Sequence, residues 1–329
     1  MKRVAVIVPV AEFEDVDVVL KSAQHLSSLA WGELEAKIVY AVDVAGPNDD
    51  RVATLNREGM TVCTRKSRGK RAGAINDTLQ YLADFNPDYV ALFDIDSRPE
   101  PNFVGACVEA LEADQTAYIA SSRRYIYNHV NLVSQTIQAE YFLLNFLLRK
   151  SGFKQFNGLI GVLRADLLAQ YKLNEDAIAE DADYATRMYA RGYRAILVQG
   201  TQLYEQAPVR WRDLLNQRKR WHYGGLQLWR YWHDVKRCGN RKFIRAWLLA
   251  LTLSYAVIVF LPFSILTPLV LLGYPTKRIP AKALPKPPLR ITVGLVIHVV
   301  LLQYSAIVAI VKYLRGRGVE WTAIKRVAD

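Results

Sequence analysis

The sequence predicts an α/β domain on a mostly parallel sheet flanked by helices, followed by C-terminal transmembrane helices. Three observations carry this. Short apolar runs rich in strand formers alternate with helical stretches through the first half of the chain. Long apolar runs are confined to the last third. Three of the predicted strands run into the charged residues Asp43, Arg65 and Asp94, at the edge where open α/β sheets hold their ligands.

The first strand is Val4 to Val8, closed by Pro9, and a helix follows from Val16 to Leu29. The N-terminal apolar run is too short for a signal peptide and is followed by Glu12, Glu14 and Asp15 without a cleavage-like site, which places the domain in the cytoplasm. The second strand, Lys37 to Val42, ends at Asp43, a residue able to bond a base or ribose, or simply to make a turn. A short third strand, Met60 to Thr64, leads into the basic stretch Arg65–Arg71 and a helix opening at Gly69-Lys70. Free N–H groups at a helix start favour phosphate there, although a solvated basic loop fits Lys70 equally well. The pattern is not a Walker P-loop.

The fourth strand carries Val90-Ala-Leu-Phe-Asp-Ile-Asp96 and stops at Ser97-Arg98-Pro99. Asp94 and Asp96 are two hard oxygen ligands suited to a divalent cation, or else a polar turn. A helix over Ala106–Leu111 and a strand over Tyr118–Ser121 follow, then a long, mostly apolar helix over His129–Leu148. Phe156-Asn157-Gly158 brings a glycine that permits close backbone approach to a ligand. Glu180-Asp181 opens an amphipathic helix that Gly192 terminates; a carboxylate there also simply suits the helix dipole. Gln217, Arg218, Arg220 and Trp221 share about one helical turn, combining phosphate-binding guanidiniums with an indole face. Tryptophans 211, 221, 229 and 232 alternate with basic residues, as in a helix lying at a membrane surface.

Ile244–Gly273, with Pro262 and Pro268 to kink it, and Ile291–Val311 are each long enough to span a bilayer, which needs roughly 20 residues. A connector rich in Pro and Lys, Tyr274–Arg290, separates them. Two full spans would leave the catalytic part and the basic tail on the cytoplasmic side, with the connector outside against the positive-inside tendency; a broken hairpin would reverse the tail.

Composition narrows the function. The net charge of +12 fits nucleic acid, a membrane surface or anionic substrates, but no nucleic-acid-binding motif accompanies it. The 3 cysteines and 5 histidines have neither disulfide-framework nor zinc-ligand spacing.

The order strand-Pro, Asp43, G-K-x-x-A-x-N, D-x-D, F-N-G, E-D and Q-R-x-R-W resembles the membrane-bound family 2 glycosyltransferases, a group that includes cellulose, hyaluronan and poly-N-acetylglucosamine synthases; ceramide glucosyltransferase is similar in its motifs. The resemblance covers about residues 4–235. It implies the GT-A fold and inverting transfer of a sugar from a nucleotide-diphosphate donor, with a UDP-sugar expected. It assigns Asp181 as the general base, and Asp94 and Asp96 as holders of Mg²⁺ or Mn²⁺. Pro9, Glu12, Asp43 and Lys70 fall to the donor. Asn157, Gly158, Glu180, Gln217, Arg218, Arg220 and Trp221 fall to the acceptor and diphosphate. Two motifs depart from the family pattern: Asp43 is followed by Val-Ala-Gly, and Glu12 and Glu14 flank the usual acidic position.

The expected organisation is therefore a nucleotide-sugar half over 1–128, an acceptor half over 129–238, a transmembrane region over 239–312 and a basic tail over 313–329. The expected partners are a glycan or lipid acceptor and the bilayer. A polysaccharide channel would require copies to associate as a homo-oligomer. Glycolipid or polyprenyl-phosphate glycosylation is the alternative chemistry, and a non-catalytic nucleotide-sugar-binding protein the alternative class. Retention of Asp94, Asp96 and Asp181 argues against the latter.

Overall fold

A computed structural model describes residues 1–44, 46–66, 69–259, 288–319 and Arg326. The elements run β1 (Lys2–Val10), α1 (Val16–Ser27), β2 (Leu34–Asp43), α2 (Asp50–Arg57), β3 (Thr61–Arg65), α3 (Lys70–Tyr81), β4 (Tyr89–Leu92), β5 (Arg98–Pro99), α4 (Phe103–Ala113) and β6 (Ala117–Ile126). Then follow α5 (Leu132–Lys150), β7 (Gly161–Arg164), α6 (Ala165–Tyr171), α7 (Glu180–Ala190), β8 (Arg194–Glu205), α8 (Trp211–Gln227), α9 (Trp232–Arg237), α10 (Arg241–Val259) and α11 (Pro288–Leu314).

The eight-stranded sheet has the order β3-β2-β1-β4-β7-β6-β8-β5. β3, β2, β1 and β4 are parallel, whereas β7 pairs antiparallel with β4 and β6, and β5 antiparallel with β8. The sheet is thus mixed, not mostly parallel. The parallel half reads clearly because its strands are covered on both faces: Tyr89-Val90-Ala91-Leu92 is buried throughout. The twelve-residue β8 escapes that pattern because it carries Gln199, Gly200 and Gln202, with its middle half-buried or exposed. Pro9 lies inside β1, where the missing N–H is tolerated because β4 pairs with β1 only as far as Ile7.

The chain divides into two compact units. The first holds residues 1–124 and 154–205 together with Arg326. Its core joins the inner sides of β1, β2 and β4 to α1 and α4 through residues such as Val6, Tyr40, Phe93, Phe103 and Leu111. Residues 154–205 return to this unit, so Glu180-Asp181 shares it with Asp94 and Asp96.

The second unit spans 125–153 and the described residues from 206 to 319. Helix α5 starts at a capping box in which Asn131 and Ser134 satisfy each other's backbone. α11 packs on α8, α5 and α10. Trp247 is fully buried and stacks on Trp232, 6.2 Å between centroids, while Trp229 and Trp232 remain more than a third exposed. Arg290–Leu314 is, among the described residues, one helix long and apolar enough to cross a membrane. The expected first span is seen as helix only over Arg241–Val259; its remainder, including Pro262 and Pro268, and residues 274–287 of the connector lie outside the described residues.

Candidate active site

The site is assembled at the carboxyl ends of β1, β2 and β4 and completed by the starts of α3 and α7. At the end of β2, Asp43 accepts from Arg65 Nε at 2.5 Å, and Arg65 also reaches Asp77 at 2.9 Å. Burial pushes the Asp43 carboxyl up, against the pull of Arg65. Glu12 is exposed and close enough to Asp43 to raise it further.

The turn into α3 is built by Gly69 at φ 63° and Lys70 at φ 52°, both left-handed. A Cβ on Gly69 would lie 2.2 Å from Glu175 Oε2 and 2.9 Å from the Gly73 Cα. Glu175 is held in place by Asn76, whose side-chain amide donates to it and whose Oδ1 accepts from Leu173 N. Gly69→Ala is therefore expected to destabilise the fold by roughly 1–3 kcal/mol through strain and collision. A denaturation midpoint equal to that of the unchanged chain would sink this.

The turn exposes Lys70 and turns Arg71 inward. Arg71 Nε donates to Asp94 Oδ1 at 2.8 Å and Nη1 donates to Glu180 Oε1 at 3.0 Å. Its Nη2 is buried without a hydrogen-bond partner among the described residues. Burial opposes the guanidinium charge, but Asp94 and Glu180 outweigh it. The same clamp splits the two acids: burial pushes Glu180 up, whereas Arg71 and Arg326 overcome burial at Asp94 and hold it below the usual carboxylate range. Where the sequence points to Lys70 for phosphate, its neighbour Arg71 in the same basic stretch joins D-x-D to E-D.

Asp181 lies in the first turn of α7 and accepts two backbone hydrogen bonds, from Gly158 N at 2.7 Å and Ala182 N at 2.8 Å. Gly158 sits at φ 64°, and a Cβ there would be 3.4 Å from Asp94 Oδ2. The Asn157 carbonyl accepts from Arg124 Nη2 at 2.6 Å. F-N-G thus threads its backbone between the two acidic motifs. Asp96 is buried, and its Oδ1 lies 3.0 Å from Arg326 Nη2.

Glu14 is buried as well and pairs with Arg326. Burial pushes Glu14 up to about 7, with Asp96 and Asp94 adding to it and Arg326 opposing. A carboxyl raised in the folded state stabilises the fold below its unfolded value of 4.5 and loses that contribution as pH rises to about 7. In the ligand-free protein, Glu14→Gln is expected to flatten the fall in stability across that window, measured by denaturation at several pH values. An unchanged slope would argue against it.

Among the described residues no group of three or more His, Cys, Asp or Glu is arranged to hold a metal. Asp94 and Asp96 nevertheless suit Mg²⁺ or Mn²⁺, which take one or two protein carboxylates and draw the remaining oxygens from phosphate and water. Both carboxylates already attract cations, Arg71 and Arg326.

Gln217, Arg218, Arg220 and Trp221 belong to the second unit, on α8. Arg218 is only 2% exposed, donates to Glu140 Oε2 on α5 at 2.5 Å, and places its guanidinium 4.0 Å from the Trp221 ring centroid. Its charge is committed inside the unit. Gln217, Arg220 and Trp221 are half-buried.

The family model described as Glycosyl transferase family group 2 matches residues 89–311, a span that holds D-x-D, F-N-G, E-D and Q-R-x-R-W. The chain belongs to this glycosyltransferase family. It is 28% identical over 175 residues to probable glucomannan 4-beta-mannosyltransferase 7 of Oryza sativa subsp. japonica, covering 51% of this chain and 30% of that one. It is 24% identical over 242 residues to probable glucomannan 4-beta-mannosyltransferase 1 of Arabidopsis thaliana, covering 68% of this chain and 43% of that one. The glycosyltransferase thus spans less than half the length of these relatives. Among solved structures, the mannosyltransferase PcManGT from Pyrobaculum calidifontis, in complex with GDP-Man and Mn²⁺, superposes with a TM-score of 0.63 at 20% identity, covering 96% of this chain and 88% of that one. The shared fold is the GT-A-like α/β fold.

Proposed function

We propose that this glycosyltransferase moves a hexose, with inversion, from a nucleotide-diphosphate donor to a hydroxyl acceptor at a membrane face. The observation that carries this reading is the convergence, within one unit, of Asp94, Arg71, Glu180 and Asp181 through direct contacts with one another or with Gly158. The acceptor hydroxyl attacks the anomeric carbon, its proton passes to Asp181, and the bond to the diphosphate oxygen breaks with its electron pair. Two backbone N–H groups fix the Asp181 carboxylate, leaving lone pairs to take that proton. Asp94 and Asp96 would hold Mg²⁺ or Mn²⁺, which supplies charge stabilisation to the departing diphosphate. Arg71 keeps Asp94 ionised and aimed. Asp43, Pro9, Glu12 and Lys70 lie toward the nucleotide, and Gln217, Arg220 and Trp221 serve the acceptor.

The names of the relatives, and GDP-Man in the neighbouring structure, make GDP-mannose the first donor to test, ahead of the UDP-sugars that the motifs suggested. A β-linked glycan acceptor follows from the same names, with a membrane lipid next because α11 is apolar enough to span. Arg326, beyond α11 in the chain, belongs to the unit that carries D-x-D, which supports a tail on the same side of the bilayer as the site.

The test incubates membranes containing the protein with Mn²⁺ or Mg²⁺ and labelled GDP- and UDP-sugars, then partitions and sizes the product. A large insoluble product means a polymer, and label in the organic phase means a lipid acceptor. Nucleotide binding without turnover of any donor would overturn the enzymatic proposal.

A further inference from the structure

The acidic end of the sheet holds more than the family motifs explain. Arg326, far along the chain from β4, pairs with Glu14 through Nη1 and lies 3.0 Å from Asp96 Oδ1 through Nη2. The Glu14 and Asp96 side chains are only 5% and 9% exposed, so little water is present to compensate their charge. Buried acidic side chains grouped beside Asp94 call for cations at the same end of the sheet. Arg71 attends Asp94 from one side, and its second arm is committed to Glu180. Arg326 brings a cation into direct contact with the Asp96 side.

Resting on the reading of Asp94 and Asp96 as a metal site, we propose that Arg326 is the resident counter-ion of this site: a divalent cation and the Arg326 guanidinium compete for Asp96. Two cations that exclude one another from one carboxylate weaken each other's binding by the same factor. The pair with Glu14 gives Arg326 a second anchor, so loss of Asp96 need not send the guanidinium away from the site. There it remains a fork of N–H donors suited to a diphosphate. Arg326 then has two roles in sequence: it satisfies Asp96 before loading and faces phosphate after it.

The test is a titration of the full-length, detergent-solubilised protein with Mn²⁺ alone, read by electron paramagnetic resonance of the free ion, so no donor or turnover is needed. Arg326→Ala is expected to bind Mn²⁺ about tenfold more tightly than the unchanged chain, the scale set by losing a charge-assisted contact at Asp96. Arg326→Lys, which keeps the charge but not the fork, is expected to fall between the two. Asp96→Asn is expected to lose Mn²⁺ binding. Unchanged or weaker binding in Arg326→Ala, with binding abolished in Asp96→Asn, would overturn the role of Arg326 and leave the metal reading standing. Undiminished binding in Asp96→Asn would overturn both.

Discussion

Asparagine in place of Asp181 is expected to lower kcat by ~10²–10⁴-fold, the usual worth of a positioned base, while nucleotide binding stays nearly unchanged. The expectation follows from what surrounds the carboxylate. Gly158 N and Ala182 N both donate to it, so its orientation is set by backbone and does not depend on a substrate. Asparagine can keep one of those bonds through its carbonyl oxygen but cannot accept a proton at neutral pH. Asp183, two residues on, cannot substitute: it is fully buried and paired with Arg187 at 2.8 Å. Single-turnover transfer from labelled donor, set beside nucleotide binding by calorimetry, separates the two effects. Full turnover in Asp181→Asn would remove Asp181 as the base; a parallel loss of nucleotide binding would make it a structural residue of the F-N-G turn.

The acidic parts of this site are readable in sequence because each sits where a regular element ends. Asp94 and Asp96 follow a four-residue apolar strand, and Glu180-Asp181 opens an amphipathic helix. Their cations are not readable in the same way. Arg71 lies in a basic run where every charge looks alike, and it is the left-handed turn at Gly69 and Lys70 that turns it inward. Glu14 sits in the irregular link between β1 and α1, where periodicity gives no face. Arg326 lies in a tail whose local pattern reads as a solvated basic segment. The antiparallel half of the sheet is hidden for a related reason. β7 is short and opens on Gly161, and β8 passes after Val198 into Gln199, Gly200, Thr201 and Gln202, so neither reads as a continuous strand covered on both faces. The family motifs carry the chemistry across that gap, since they mark positions rather than elements.

Arg218 is a motif position whose side chain is buried against Glu140, and Glu140 is the residue that tests this pairing. A guanidinium 2% exposed in a largely apolar unit is stable only with its partner, and Glu140 Oε2 at 2.5 Å is that partner. Further ties hold the same turn of α8: Ser305 on α11 lies 3.0 Å from His222 Nδ1, and the Tyr255 hydroxyl donates to the His222 carbonyl. Glu140→Leu leaves the charge of Arg218 buried and uncompensated, and is expected to cost about 3–5 kcal/mol. The double variant Glu140→Leu/Arg218→Met removes both charges and replaces them with apolar volume, so it is expected to recover much of that loss. Denaturation followed by tryptophan fluorescence reports both variants, because Trp221 and the buried Trp247 lie in the same unit as the pair. Losses that simply add in the double variant would mean that the two charges do not depend on each other, and that the Glu140–Arg218 pair does not hold this turn of α8. Recovery in stability without recovery of transfer would mean that the Arg218 guanidinium is needed for transfer even where the fold no longer requires it.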